Sequence, residues 1–215
     1  MKEYKSVKGF GTKEIKIRKS RFISYVKPVR SEVKAIEFIE KIKEKHKDAT
    51  HNVFAYIIYS DTEIYKYSDD KEPSGTAGRP ILDLLRKENL INIVVVVTRY
   101  FGGTLLGKGG LVRAYSQSAR LGIEKAEIVN NILHYDYELI IDYSNAGKVE
   151  NEMLNMNHII YDKSFSQNVL FKVYVRYDKE KNFKKNIMDI TNGQIDIKFM
   201  GEKFVSFSKG KAIMR

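Results

Sequence analysis

The sequence contains no cysteine, and this absence limits its chemistry. Without thiols the chain forms no disulfides, performs no thiol catalysis and holds no metal through thiolates. Its histidines are scattered and lack the spacing of metal ligands. We therefore predict no metal site and no cofactor. The lack of cysteine also fits a reducing cytoplasm.

Long apolar runs and proline are scarce as well. No apolar segment approaches the ~18 residues that a membrane-spanning helix needs, and the first ten residues lack the apolar core of a signal peptide. With three prolines and 43% hydrophobic residues, the chain is expected to be folded throughout. These features predict a cytoplasmic protein that makes no membrane contact.

Positive charge, by contrast, is abundant and unevenly distributed. The net charge is +11, and residues 1–50 hold 15 Lys and Arg against 7 Asp and Glu. Such an excess favours a polyanionic partner, and nucleic acid or the ribosome is the partner we predict. A solvated basic face that only keeps the protein soluble is the alternative. The sequence makes no prediction about the oligomeric state.

The most distinctive segment is residues 93–119. Residues 93–97 form an unbroken β-branched run, which predicts a central strand buried on both faces. Five glycines fall within residues 102–110, and a helical pattern begins near Leu111. A strand, a glycine loop and a helix bring backbone N–H groups and a helix N-terminus to one point, where anions bind. The predicted anion and nucleic-acid contacts are Arg21, Arg99, Gly102, Gly103, Gly107, Lys108, Gly109, Gly110 and Arg113.

Gly102, Gly107 and Lys108 also satisfy the first seven positions of a P-loop, GxxxxGK, between a strand and a helix. The eighth position needs a hydroxyl for Mg²⁺ but is Gly109, and no separate apolar strand ends in Asp. Phosphoryl transfer would then lack its main charge stabilisation, which argues against an NTPase. A phosphate-binding loop without hydrolysis and a tight structural turn are the interpretations left open.

Residues 68–80, SDDKEPSGTAGRP, form a second unusual segment. A long polar loop between a strand and a helix is uncommon unless it binds something, although a plain Gly/Ser connection is the alternative. Asp69 and Asp70, with His51, offer ingredients of acid–base chemistry, but carboxylates in hydrophilic loops are more often solvated. No catalytic residue is therefore assigned. The candidate ligand-loop residues are His51, Glu72, Ser74, Gly75, Thr76 and Arg79.

The periodicity predicts an α+β protein with two domains, residues 1–130 and 131–215. The first combines short strands with helices after Ser31, Pro80 and Gly110. The second reads strand, helix, strand, strand, helix, strand, which fits a ferredoxin-like βαββαβ domain. Its third strand, residues 170–176, lacks the glycine and aromatic pattern of an RNP1 motif, so we do not predict an RRM.

The motifs resemble those of the IMPACT/YigZ family in its bacterial two-domain form. The matching segments, which cover roughly residues 1–130, are Lys19-Ser20-Arg21-Phe22, His51-Asn52, Asp69-Asp70, residues 72–80, residues 99–103 and Leu106-Gly107. The resemblance implies an N-terminal two-layer α/β sandwich like a ribosomal-protein domain, and a C-terminal domain like the last domain of elongation factor G. It also implies a link to translational control, the role of the conserved domain in eukaryotic members. It brings no established reaction.

Together these observations predict a non-enzymatic cytoplasmic protein that binds nucleic acid or the ribosome and modulates translation. One alternative is an enzyme that acts on a phosphorylated small molecule at residues 68–80 and 99–113. It would require His51, Glu72 and Arg99 to converge in a pocket. The other alternative is a protein–protein adaptor, which would present an exposed apolar patch.

Overall fold

The computed structural model describes residues 1–213, which divide into two compact units. One unit is Tyr4–Asn130, and the other joins Met1–Glu3 to the chain from Asn131 onward. Each unit has its own hydrophobic core, and both combine helices with antiparallel strands, which confirms the α+β class. No helix within the described residues is both long enough and apolar enough to cross a membrane.

The first unit is built around a five-stranded antiparallel sheet with the order β2-β3-β6-β4-β5. The elements up to its last helix are β1 (Glu3–Val7), β2 (Gly11–Ile17), β3 (Ser20–Pro28), α1 (Glu32–Lys45), β4 (His51–Tyr59), β5 (Glu63–Ser68), α2 (Gly78–Lys87), β6 (Ile93–Tyr100) and α3 (Lys108–Ala126).

Strand β6 lies at the centre of this sheet, and its residues 93–97 are fully buried. Val95 and Val97 pack in the core formed with α2 and α3, whereas Val94 and Val96 pack against α1. The prediction of a central strand buried on both faces is therefore confirmed. Because helices cover both faces, the unit has one helix layer more than the expected two-layer sandwich.

The second unit is ferredoxin-like, with strands in the order β10-β7-β9-β8 and a short strand β11 added beside β10. The helices α4 and α5 contribute Val149, Met153, Phe183 and Ile187 to a core shared with β7 and β9. The elements of this part of the chain are β7 (Ile128–Ile141), α4 (Tyr143–Asn155), β8 (Ile159–Phe165), β9 (Val169–Arg176), a 3-10 turn (Tyr177–Lys179), α5 (Glu180–Ile190), β10 (Ile195–Ser208) and β11 (Lys211–Ile213).

Candidate functional site

The polar loop between β5 and α2 is held in place by the carboxylate of Asp69. Its Oδ1 accepts hydrogen bonds from the backbone N–H groups of Ala77 and Gly78 at 3.0 and 2.8 Å, and its Oδ2 accepts from Gly75 N at 2.9 Å. Asp69 thus satisfies amides at the start of α2, where a negative charge is also favoured by the helix dipole. This carboxylate has a structural task and is not a solvated loop acid.

Asp70 performs a similar task between the loop and β4. Its Oδ2 accepts from Asn52 N at 2.6 Å, and its carbonyl oxygen lies 2.7 Å from His51 Nδ1. Because a carbonyl oxygen only accepts, Nδ1 carries the proton of this contact. Asp70 and Lys71 both adopt positive φ, at 41° and 69°. This left-handed turn places the next residue, Glu72, inside the protein.

Glu72 is the centre of a buried polar cluster. Its Oε1 accepts from Arg99 Nη1 at 2.6 Å and from Tyr115 Oη at 2.7 Å, and His51 Nε2 lies 3.7 Å away. Arg99 Nη2 also donates to Ser20 Oγ at 3.3 Å. Burial raises the pKa of the Tyr115 hydroxyl far above its ordinary value, so Tyr115 stays a neutral donor. The cluster joins loop 68–80 to β3, β4, β6 and α3.

A pocket of about 400 Å³ opens beside this cluster. His51, Glu72 and Arg99 line it together, so the structure brings these three predicted residues to one place. The rest of its lining is mainly apolar, with Lys108 and the backbone of Gly107 from the start of α3. The remaining lining residues are Thr50, Pro73, Phe101, Leu105, Leu106 and Leu111.

The N-terminus of α3 forms one edge of the pocket. Gly107 precedes the helix with φ at 70°, and no side chain within residues 1–213 caps the first turn. The first helical bond runs from Leu111 N to Gly107 O at 2.9 Å. Among the residues that the structure describes, the amides of residues 108–110 therefore have no acceptor from the helix or from a cap. This is the predicted meeting of glycine amides and a helix N-terminus.

Two basic side chains stand at this helix end without a carboxylate partner. Lys108 is exposed at the first helical position, and Arg113 Nη1 lies 3.7 Å from where a Cβ on Gly109 would be. Among the described residues neither cation forms a salt bridge. The positive charge at the α3 N-terminus is therefore uncompensated.

The β2–β3 turn packs directly against the glycine loop. Arg18 Nη1 donates to the carbonyl oxygen of Leu105 at 2.9 Å. A Cβ on Gly102 would come within 1.9 Å of the Lys19 carbonyl oxygen, so this close approach requires glycine. Gly103 has φ at 79° and open space around it. The glycines of this loop thus serve turn geometry and backbone approach as well as amide exposure.

The structure separates Arg21 from this site. Phe22 is the register partner of Arg99, and the neighbouring Arg21 projects to the other face of the sheet, where its guanidinium lies 5.1 Å from the Tyr100 ring. Arg21 also makes a two-point contact with Glu14 at 3.0 and 3.1 Å. Because side chains alternate between the two faces of a strand, Arg21 and Arg99 lie on opposite faces of the sheet.

Four other ligand-loop residues lie outside the pocket lining. Thr76 is buried, and its hydroxyl donates to the Pro73 carbonyl oxygen at 2.6 Å. Arg79 pairs with Asp83 on the surface of α2 at 2.9 Å. Ser74 and Gly75 are exposed at the tip of the loop. Sequence reasoning in turn did not identify Arg18, Ser20, Thr50 and Tyr115 as residues of the site.

The C-terminal sheet carries a face with charges of both signs. In the β7–β9 register Glu138 lies opposite Lys172, and His134 lies opposite Arg176. Two aromatic residues lie on this face, and the Tyr161 ring stacks on Tyr174 with 4.1 Å between centroids. Tyr174 is only 5% exposed, so its ring is not free to stack on a base.

Comparisons with known proteins extend over nearly the whole chain. Residues 18–123 match the Impact N-terminal domain, and residues 139–194 match a domain of unknown function, DUF1949. The chain is 44% identical over 195 residues to IMPACT family member YvyE of Bacillus subtilis (strain 168). The aligned region covers 91% of this chain and 90% of the relative.

A second relative and a solved structure agree with this match. IMPACT family member YigZ of Escherichia coli (strain K12) is 30% identical over 183 residues, covering 84% of this chain and 90% of the relative. The crystal structure of a protein named only as hypothetical has a TM-score of 0.59 and 29% identity, and the alignment covers 92% of this chain and 97% of that one. The resemblance inferred from the motifs is thus confirmed, and the chain belongs to the IMPACT family.

Proposed function

We propose that this protein is a non-enzymatic cytoplasmic RNA-binding protein that acts at the ribosome and modulates translation. The observation that carries the proposal is the N-terminus of α3. There the uncapped amides of residues 108–110 stand beside Lys108 and Arg113, which have no carboxylate partner among the described residues. RNA phosphates would accept hydrogen bonds from those amides and pair with the two cations.

The charges around the pocket support an anionic ligand. Among the described residues of the lining, Glu72 alone is acidic, and Arg99 pairs with it at 2.6 Å. The adjoining β2–β3 turn adds Arg18 and Lys19, which belong to the basic first fifty residues. Because these charges lie close together on one unit, they favour a backbone phosphate of a polyanion.

Family membership supports the translational part of the proposal. The motif segments around residues 19–22, 72–80 and 99–107 are those by which the chain resembles the family, and they contain much of this site. In eukaryotic members the conserved domain is tied to translational control. A basic phosphate-binding site would serve translational control most directly by contacting ribosomal RNA.

The test is binding to purified ribosomal subunits and to model RNAs, measured between ~50 and ~200 mM salt. Lys108→Ala with Arg113→Ala should lower RNA affinity at least tenfold and reduce the slope of log K against log salt by about 1.4 to 1.8. The matched control is Lys41→Ala with Lys47→Ala. This pair removes the same charge from exposed positions in and just after α1.

Two results would contradict the proposal. Binding that is flat across the salt range would exclude phosphate contacts as its source. Equal losses in the two double variants would show that net charge alone, and not the α3 site, attracts the RNA.

A second candidate function is an enzyme that acts on a phosphorylated small molecule. It is favoured by the convergence of His51, Glu72 and Arg99 on one pocket, with His51 Nε2 3.7 Å from Glu72 Oε1. Phosphorus NMR of the protein with a panel of phosphomonoesters provides the test. A time-dependent new signal that disappears in His51→Asn would favour the enzyme, and unchanged spectra would favour binding alone.

A further inference from the structure

We infer that the pocket beside α3 takes a single unpaired nucleotide, with its base against the apolar wall and its 5′-phosphate at the helix N-terminus. The inference rests on the proposed function, because RNA is the source of nucleotides that it assumes. It adds that the site selects unstacked, single-stranded nucleotides. Phosphate contacts alone would not provide this selectivity.

The first argument is the apolar surface at the pocket. Leu105 is 80% exposed and Phe101 is 44% exposed, although both belong to the lining. A phosphate contact requires neither residue, and both leave apolar area in water. A base stacked on Phe101 and covered by Leu105 would remove that area, and aromatic side chains are platforms on which unpaired bases stack.

The second argument is the set of polar groups at the buried side of the pocket. Within the described residues the Arg99 Nε donor has no hydrogen-bond partner, although the Arg99 side chain is 5% exposed. A buried donor without a partner is costly, and native proteins leave few of them. The contacts of Glu72 all fall on Oε1, so Oε2 is not used in any of them. The edge of a base carries both acceptors and donors for such groups.

The third argument is that the phosphate site and the apolar wall are parts of one pocket. Gly107 and Lys108 line the same pocket as Phe101 and Leu106, so the phosphate site and the apolar wall are adjacent. A volume of about 400 Å³ lies within the range of small-molecule pockets, and a base can enter such a pocket only after it has left its pair and its stack. The ligand class that matches a flat ring beside a phosphate is therefore a nucleotide.

The experiment is calorimetric titration with the four nucleoside 5′-monophosphates, adenosine and inorganic phosphate as separate probes. At least one monophosphate should bind at least tenfold more tightly than either adenosine or phosphate. Phe101→Ala with Leu105→Ser should weaken the monophosphate about tenfold and leave phosphate binding unchanged. Both side chains are exposed, so the fold should persist, and circular dichroism checks this.

RNA titrations separate this inference from the proposed function. Single-stranded RNA should bind more tightly than a duplex of equal length, and Phe101→Ala with Leu105→Ser should reduce the difference. If duplex and single strand bind equally, or if the variant binds single strands within twofold of the parent, the nucleotide pocket is overturned and the phosphate contact stands. If monophosphates bind but no RNA does, the proposed function is overturned and free nucleotides become the ligand. Failure of every monophosphate to bind at millimolar concentration overturns the inference.

Discussion

Arg99 Nη1 donates to Glu72 Oε1 at 2.6 Å, and neither side chain is more than 5% exposed. This buried pair joins the end of the central strand to the polar loop 27 residues earlier in the chain. It also changes the expected role of Arg99, because a guanidinium committed to a buried carboxylate organises the pocket before any phosphate arrives. The positive charge left for a ligand is then that of Lys108 and Arg113.

Breaking the pair should be strongly destabilising. Arg99→Met leaves Glu72 as a buried charge without its partner, and we expect a loss of about 3–5 kcal/mol of unfolding free energy. Urea unfolding, followed on amide signals of the Tyr4–Asn130 unit, measures it separately from the other unit. Glu72→Gln combined with Arg99→Met should cost less than the sum of the single variants, by roughly 2 kcal/mol. Additive losses would show that the two residues do not interact as the distance implies.

Tyr115→Phe should remove one hydrogen bond from the same carboxylate without changing the packing of the ring. A hydrogen bond to a charged acceptor contributes about 1.5–3 kcal/mol, and we expect a loss in that range. Tyr65→Phe is the control, because Tyr65 lies on β5 with half of its surface exposed. A loss as small as that of the control would indicate that solvent replaces the Tyr115 hydroxyl at Glu72.

Gly102→Ala should push the glycine loop away from the β2–β3 turn. The new Cβ would meet the Lys19 carbonyl oxygen at 1.9 Å, and backbone has to move on one side of the contact. We expect a stability loss of roughly 3 kcal/mol or more, with weaker RNA binding because Lys108 is displaced too. Gly9→Ala provides the control, since a Cβ there meets nothing within 4 Å. Equal stability of the two variants would contradict the close approach.

The second unit should lose stability in mild acid because of His158. Burial lowers the pKa of His158 from 6.5 to about 4, and neither ring nitrogen has a hydrogen-bond partner among the described residues. The unfolded chain therefore binds more protons than the folded one between pH 6.5 and about 4. As the pH falls through this window, protonation of His158 should lower the stability of the second unit by about 2 kcal/mol, after allowance for solvent screening. Below the window this contribution should stay constant.

His158→Leu isolates this contribution, because burial also lowers the pKa of His134 in the same unit. The variant should lack the part of the pH slope that belongs to His158, and at neutral pH it should be at least as stable as the parent. Urea midpoints of the second unit, measured from pH 7 to pH 4, provide the comparison. Parallel pH curves for parent and variant would rule out His158 as the source.

Much of the architecture follows from local pattern. The β-branched residues 93–97 are too apolar to face water on either side, so a central buried strand is their simplest solution. Ser31 begins α1 as an N-cap, accepting from Lys34 N at 3.3 Å. The order of strands and helices in the second unit predicted its βαββαβ topology in the same way. Apolar residues recur with a period of 2.0 residues in its strands and 3.6 residues in its helices.

The sequence by itself determined the family, the α+β class and the elements that meet at the α3 N-terminus, because each depends on local motifs and periodicity. Only the tertiary structure decided which side chains share a space. Strand alternation sent Arg21 to the opposite face from Arg99, and the left-handed turn at Asp70 and Lys71 carried Glu72 into the interior. The anion site that we propose at residues 102–113 thus acquired an apolar wall and a neutralised carboxylate from distant segments. Contacts between segments far apart in the chain arise only when the sheet closes.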